Sequence, residues 1–200
     1  MGAAVAATRL AGARHVGAWT ALLALALFLT PPLRQFVESR MALHMLVQFP
    51  LLVACGWLLS RLAVGVRPVW WHFDLLNAHG LLGIATASCV LGVWMVPAAL
   101  DLALLSEPMR WAKYATLCLA GLLLGRSYPR LNAELEVFFA GMLAWMMATV
   151  GLVYQTMPQR LCVNYLIDEQ RWTGSGLVFY AGALGLVCVW RLQIRPESRP

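Results

Sequence analysis

Residues 137–159 read VFFAGMLAWMMATVGLVYQTMPQ, an uncharged run of 23 residues between Glu136 and Arg160. A helix needs about 20 mainly apolar residues to cross the hydrocarbon core of a bilayer. Backbone N–H and C=O groups in lipid must be hydrogen-bonded within the protein, and a helix satisfies them within one segment. The run therefore predicts a transmembrane helix, and it decides the fold class.

The same pattern recurs along the 200-residue chain. Uncharged runs also fill 15–33, 41–60, 75–100 and 172–190, and a shorter run, 114–125, reaches spanning length if Arg110 and Lys113 snorkel to the interface. We therefore predict a single domain, 1–200, that is an all-α polytopic transmembrane helix bundle with about six spans. The predicted spans are 16–31, 41–64, 76–100, 108–125, 136–157 and 173–191.

The composition excludes other classes of protein. Hydrophobic residues make up 61% of the chain and charged residues only 12%, which is too little charge for a soluble globular surface and too much hydrophobicity for disorder. The net charge of +6 is explained by arginine on the cytoplasmic side of a membrane, so it does not predict nucleic-acid binding. With the N-terminus inside, nine basic residues lie on inner segments and six on outer ones. This predicts that both termini lie in the cytoplasm.

Three local features predict how the helices pack. Pro50 lies inside the second predicted span and should kink it, freeing a carbonyl near Leu46. Pro97 should do the same near the end of the third. Gly121 and Gly125 form a GxxxG pattern that favours close helix packing.

The start of the second span carries the most distinctive chemistry. Met41, His44, Met45 and Gln48 are spaced i, i+3, i+4 and i+7, so they share one helix face. Thioethers and an imidazole together suit Cu(I). The alternative is a hydrogen-bonded interfacial histidine beside methionines that only fill the core.

The predicted outer loop before the last span could complete such a site. Asp168 and Glu169 offer carboxylates, Cys162 a thiol and Met157 a further thioether. The two carboxylates could instead cap the last helix, where negative charge is favoured, and the two roles are compatible. The predicted metal-binding residues are His44, Met45, Glu169, Asp168, Met41, Cys162 and Met157.

Other histidines suggest a different class of function. His72 and His79 stand seven residues apart near the predicted inner side, so they share a face if one helix includes both, and there they could bind haem or a quinone. No Ser-His-Asp arrangement, P-loop, dinucleotide fingerprint or HExxH motif is visible in the sequence. We therefore predict neither an enzyme nor a small-molecule substrate.

Two segments resemble a known family. His44-Met45-Leu46-Val47-Gln48 resembles the His-Met-x-x-His helix start of the CtaG family, the polytopic assembly factors of caa-type cytochrome c oxidase. The segment 169–174, EQRWTG, is similar to the family's Asp-Gln-x-x-x-Gly segment before its last helix. Gln48 stands where the family has its second histidine, and Glu169 where it has aspartate. The family usually has seven spans.

The resemblance implies a non-enzymatic protein of the bacterial cytoplasmic (inner) membrane that assists assembly of a respiratory cytochrome c oxidase by helping to deliver or insert copper. It implies roles for His44, Met45 and Glu169, a copper cofactor, and membrane lipid and oxidase subunits as partners. Two alternatives remain: a haem- or quinone-binding electron-transfer subunit, and a cofactor-free accessory subunit of a membrane complex.

Overall fold

The computed structural model describes residues 19–20, 22–27, 30–61 and 67–194, and every regular element in these ranges is helical. The helices after Thr30 are numbered here in chain order. They are α1 Pro31–Glu38, α2 Phe49–Ser60, α3 Arg67–Leu76, α4 Leu81–Trp94, α5 Pro97–Leu105, α6 Glu107–Ser127, α7 Ala133–Thr156 and α8 Ile167–Ile194. A π-helical segment, Leu43–Gln48, runs directly into α2, and a 3-10 turn, Tyr128–Arg130, follows α6.

The described helices contain three or four candidate membrane spans. Three are long and apolar enough to cross a membrane, Leu43–Ser60, Ala133–Thr156 and Ile167–Gln193, and α4 with α5 is a fourth if the bent pair is one span. Large apolar side chains such as Trp145, Phe179 and Leu186 are exposed on the outer faces of α7 and α8, as lipid contact requires. The chain is thus a multi-pass membrane protein.

The structure departs from the six predicted spans in two places. Helix α6 is 21 residues long, but it does not count among the candidates, and it carries Glu107, Arg110, Lys113 and Arg126. Of the first predicted span, 16–31, the structure describes residues 19–20, 22–27 and 30–31, and 19–20 and 22–27 are helical. The positions 16–18, 21 and 28–29 of this predicted span lie outside the described residues.

The predicted span 76–100 is also divided. Helix α3 ends at Leu76, and Gly80 adopts a left-handed φ of 76° before α4 begins. Asn77 organises this turn, because its Oδ1 accepts from Gly83 N at 3.0 Å and its Nδ2 donates to Ser127 Oγ at 2.8 Å. Helices α4 and α5 then meet at 75°, where Pro97 starts α5. A proline at this point cannot continue the preceding hydrogen-bond ladder.

The expected distortion near Pro50 takes the form of the π-helical segment. Proline lacks an N–H, so Pro50 cannot donate to the carbonyl of Leu46. Tyr180 of α8 supplies the missing donor, with its hydroxyl 3.0 Å from Leu46 O. The prediction that Pro50 frees a carbonyl near Leu46 is confirmed, and the freed group joins α8 to the second span.

Helix α6 packs most closely against α2, with further contacts to α4 and α5. A methyl group on Gly121 would overlap the carbonyl oxygen of Val53, and one on Gly56 would overlap that of Cys118. A methyl group on Gly125 would overlap the side-chain hydroxyl of Ser60. The close approach predicted from Gly121 and Gly125 is therefore present, and the two backbones are in direct contact.

Helices α7 and α8 form an antiparallel hairpin with extensive mutual contact, including Gly151 against Gly174. A largely apolar cleft of about 210 Å³ lies between this hairpin and α4 and α6, with Glu136 and Arg191 among its lining residues. We call the end of the bundle that holds Glu38, Lys113 and Glu169 the Lys113 end. The opposite end, where Asp74 pairs with Arg126 and Arg130, is the Asp74 end.

Candidate functional site

Buried polar side chains converge at the Lys113 end. Helix α1 supplies Glu38, the π-helical segment His44 and Gln48, α6 Lys113 and Tyr114, and the loop before α8 Tyr165. We call these six residues the Lys113 cluster. His44, Gln48 and Lys113 are 0% exposed. Polar groups buried in this way are costly unless each is partnered, so their partners determine what the site can do.

Lys113 lies at the centre of the cluster. Its Nζ is 2.8 Å from Glu38 Oε1, 2.7 Å from His44 Nε2 and 3.2 Å from Gln48 Oε1. An ammonium group has three N–H donors and no acceptor. These three acceptors therefore use the full donor capacity of the lysine.

The contacts of Lys113 fix the direction of the other hydrogen bonds. Because an ammonium can only donate, His44 Nε2 accepts, and the neutral imidazole carries its proton on Nδ1. That N–H donates to Tyr165 Oη at 2.7 Å, and the Tyr165 hydroxyl donates to the Glu38 carbonyl at 2.9 Å. Burial raises the pKa of Tyr165, and the Glu38 carboxylate raises it further, so the phenol remains a donor.

A second branch of the cluster returns to the same carboxylate. Gln48 Nε2 donates to Tyr114 Oη at 3.0 Å, and the Tyr114 hydroxyl donates to Glu38 Oε1 at 2.8 Å. Arg110 Nε lies 3.8 Å from Glu38 Oε2. Glu38 thus faces two cationic side chains and one hydroxyl, and every side-chain polar group of the cluster has a partner.

Three of the predicted metal-binding residues lie together in the π-helical region. His44, Met41 and Met45 are all buried, and both methionines belong to the main apolar core. Glu169 reaches the same region from α8, where its Oε2 accepts from Met41 N at 3.2 Å. Both ring nitrogens of His44 are already engaged, one by Lys113 and one by Tyr165.

The other three predicted ligands, Asp168, Met157 and Cys162, have surroundings different from those of His44. Asp168 is exposed in the first turn of α8, where a carboxylate stabilises a helix N-terminus, and Met157 is 44% exposed. Cys162 is buried with its Sγ 3.9 Å from Pro97 O. Burial and the nearby Asp101 carboxylate raise the pKa of Cys162 to about 12, so its thiol stays protonated at neutral pH.

The Lys113 cluster as described does not fit a resident copper ion. The lone pair of His44 Nε2 that would bind copper accepts from an ammonium 2.7 Å away, and the same positive charge opposes a second cation. Among the described residues, no group of three or more His, Cys, Asp or Glu side chains is arranged to hold a metal ion. Copper ligation by the seven predicted residues stays a prediction.

His72 and His79, the candidates for haem or quinone, are both exposed. His72 lies on α3, and His79 lies in the turn between α3 and α4. That separation breaks the single helix face on which the sequence hypothesis depends. Electron transfer through these histidines remains a prediction.

Sequence reasoning missed four residues of the cluster, Glu38, Lys113, Tyr114 and Tyr165. It placed Lys113 at the membrane interface, whereas the side chain is 0% exposed. One feature of the sequence could have indicated a special role for Lys113: it is the only lysine among the 15 lysine and arginine residues, and the other 14 are arginine.

Comparison of the chain with protein-family models, curated proteins and solved structures finds no significant match.

Proposed function

We propose that this chain is a non-enzymatic assembly factor for a respiratory cytochrome c oxidase in a bacterial cytoplasmic membrane. Both termini lie in the cytoplasm, and the Lys113 end faces outward. In this arrangement α6 and the N-terminal segment complete about six spans. The oxidase subunits dock from the side, through the apolar faces of the bundle.

One observation carries this proposal. The two segments that resemble the CtaG family are 120 residues apart in sequence, yet they meet at the Lys113 end. Glu169 accepts from Met41 N at 3.2 Å, and Tyr165, four residues before Glu169, contacts His44. The segment 169–174 and the helix start at His44-Met45 thus lie together in the fold, as a shared role of the two segments requires.

The Lys113 cluster favours assistance by protein contact over a resident copper site. Its hydrogen-bond donors and acceptors satisfy each other, so the cluster holds α1, the second span, α6 and the last loop together. Such a lock gives the Lys113 end a fixed shape for a partner. Copper as a delivered cargo at His44 and Met45 remains a second prediction, and it requires Lys113 to leave His44 first.

The test is a deletion of the chromosomal gene, with haem a measured by reduced-minus-oxidised difference spectra of the membranes. We expect the deletion to lower the assembled oxidase and a plasmid copy to restore it. Copper added to the medium should not restore it. Glu38→Gln should fail to complement, while Glu107→Gln, whose side chain is 67% exposed, should complement fully.

Three outcomes would change the proposal. Unchanged oxidase in the deletion strain would overturn it. Rescue by copper alone would favour the delivery role. Failure of the tagged full-length chain to co-purify with any oxidase subunit, against an unrelated tagged membrane protein as control, would remove the contact mechanism.

A further inference from the structure

The surroundings of Lys113 have the form of a cation site. His44 Nε2, Gln48 Oε1 and Glu38 Oε1 come from two separate elements and all converge on one nitrogen atom. An imidazole nitrogen, an amide oxygen and a carboxylate oxygen are a common ligand set for borderline divalent metals. The lone pairs that such a metal would use are those that accept from the ammonium.

We propose that Lys113 is the built-in cation of this site, an ammonium that occupies the position of a metal ion and excludes divalent cations from His44, Gln48 and Glu38. The proposal goes beyond the proposed function, because it holds whether or not the chain assists an oxidase. In this arrangement the positive charge of the cluster is covalently attached to the chain, so it cannot dissociate as a bound metal ion can.

The residue type supports this assignment. A lysine ammonium is a compact point charge with three donors, whereas arginine presents a planar fork of five. The chain uses arginine at all its other basic positions, 14 of 15, and lysine only where three acceptors surround one atom. The Glu38 carboxylate balances the charge, and the Tyr114 ring lies beside it, with Nζ 4.9 Å from the ring centroid.

The first experiment asks whether removing the ammonium opens the site. The full-length chain is purified in detergent and titrated with Co(II), whose visible absorption reports bound ligands. Lys113→Ala empties the position, and Arg126→Ala removes a cation from the other end of the same helix as a matched control. We expect Lys113→Ala to bind one Co(II) per chain, and wild type and Arg126→Ala to bind at least roughly tenfold more weakly.

The binding must also depend on the proposed ligands. Adding His44→Ala to Lys113→Ala should abolish the cobalt spectrum. The proposal is overturned if wild type binds Co(II) as tightly as Lys113→Ala, or if Lys113→Ala folds and binds none.

A second experiment needs no variant, so it tests the proposal even if Lys113→Ala does not fold. Because Lys113 is the only lysine in the sequence, the amines available to an acylating reagent are its Nζ and the N-terminal amine, and peptide mapping separates acylated Lys113 from any modified side chain of another type. We expect Lys113 to stay unmodified in the native protein and to react after denaturation, as peptide mass spectrometry would report. Acylation of Lys113 at the same rate in both states would show that the ammonium does not fill the site.

Discussion

At the scale of single residues, Lys113 shows that the shape of a cation matters as much as its charge. Three acceptors meet at one nitrogen atom, and the nitrogens of a guanidinium are spread over a plane. Disrupting one partner of a buried ion pair is strongly destabilising, because the charge of the other partner is then left uncompensated in a low-dielectric site.

We therefore expect Lys113→Arg to lower the free energy of unfolding by about 1–3 kcal/mol although the charge is kept. The reverse change at the other end of α6, Arg126→Lys beside Asp74, is the matched control, and its effect should be smaller. Denaturant titration in detergent, followed by tryptophan fluorescence, measures both. Equal effects of the two variants would contradict the requirement for an ammonium at position 113.

Cys162 provides a second prediction at this scale. Its pKa is raised to about 12, so the reactive thiolate is scarce until the pH approaches that value. In the native protein we expect Cys162 to resist maleimide at pH 8 and to react at that pH once unfolded. Labelled peptides counted by mass spectrometry check this. Rapid native labelling of Cys162 at pH 8 would contradict the burial of the thiol.

At the scale of the elements, the contact between α2 and α6 depends on glycine. Gly121 lies so close to α2 that a methyl group attached to its α-carbon would overlap the carbonyl oxygen of Val53. The backbone of Val53 cannot move aside as the end of a flexible side chain can. A residue larger than glycine at position 121 must therefore push α2 and α6 apart.

We expect Gly121→Ala to destabilise the protein by about 1–3 kcal/mol, the usual cost of overpacking. Gly141→Ala on α7 is the matched control, because a methyl group there meets nothing within 4 Å. Alanine is the better helix former, so this control should be neutral or slightly stabilising. The midpoint of thermal unfolding of each variant separates the two cases, and a neutral Gly121→Ala would contradict the close approach.

The elements also show what the sequence could predict. Uncharged runs predicted α7 to within three residues at each end, because a span is determined by local hydrophobicity. They predicted the interior of α8 but missed its first six residues, 167–172, which include Asp168, Glu169 and Arg171. The same runs missed the turn at Gly80 that separates α3 from α4, where Asn77 contacts Ser127 of a distant helix. The bend between α4 and α5 was predicted from Pro97 and is confirmed. They also missed the Lys113 cluster, because Glu38 and Tyr165 reach Lys113 only through the tertiary fold.

At the scale of the whole molecule, the expected orientation rests on the sequence, in which nine basic residues lie on predicted inner segments and six on outer ones. Arg126, Arg130 and Arg191 of the inner group lie at the Asp74 end. Val163 in the loop before α8 is 79% exposed at the opposite end, and Pro129 is exposed in the turn after α6.

We therefore expect a membrane-impermeant maleimide to label Val163→Cys from the outside of intact cells. Pro129→Cys should be labelled only after permeabilisation. The unsubstituted chain gives the background from the native cysteines. Labelling in the opposite order would invert the orientation, and labelling of both positions in intact cells would contradict the placement of the two ends on opposite sides.

The position of Lys113 along the chain has a consequence for synthesis. A charged residue that enters a bilayer without a partner is expensive, and membrane helices emerge from the ribosome in order. Glu38, His44 and Gln48, the three acceptors, all precede the lysine. When α6 leaves the ribosome, its ammonium meets acceptors that are already made. Within the Lys113 cluster, only the contacts of Tyr165 with His44 and with the Glu38 carbonyl wait for the last hairpin.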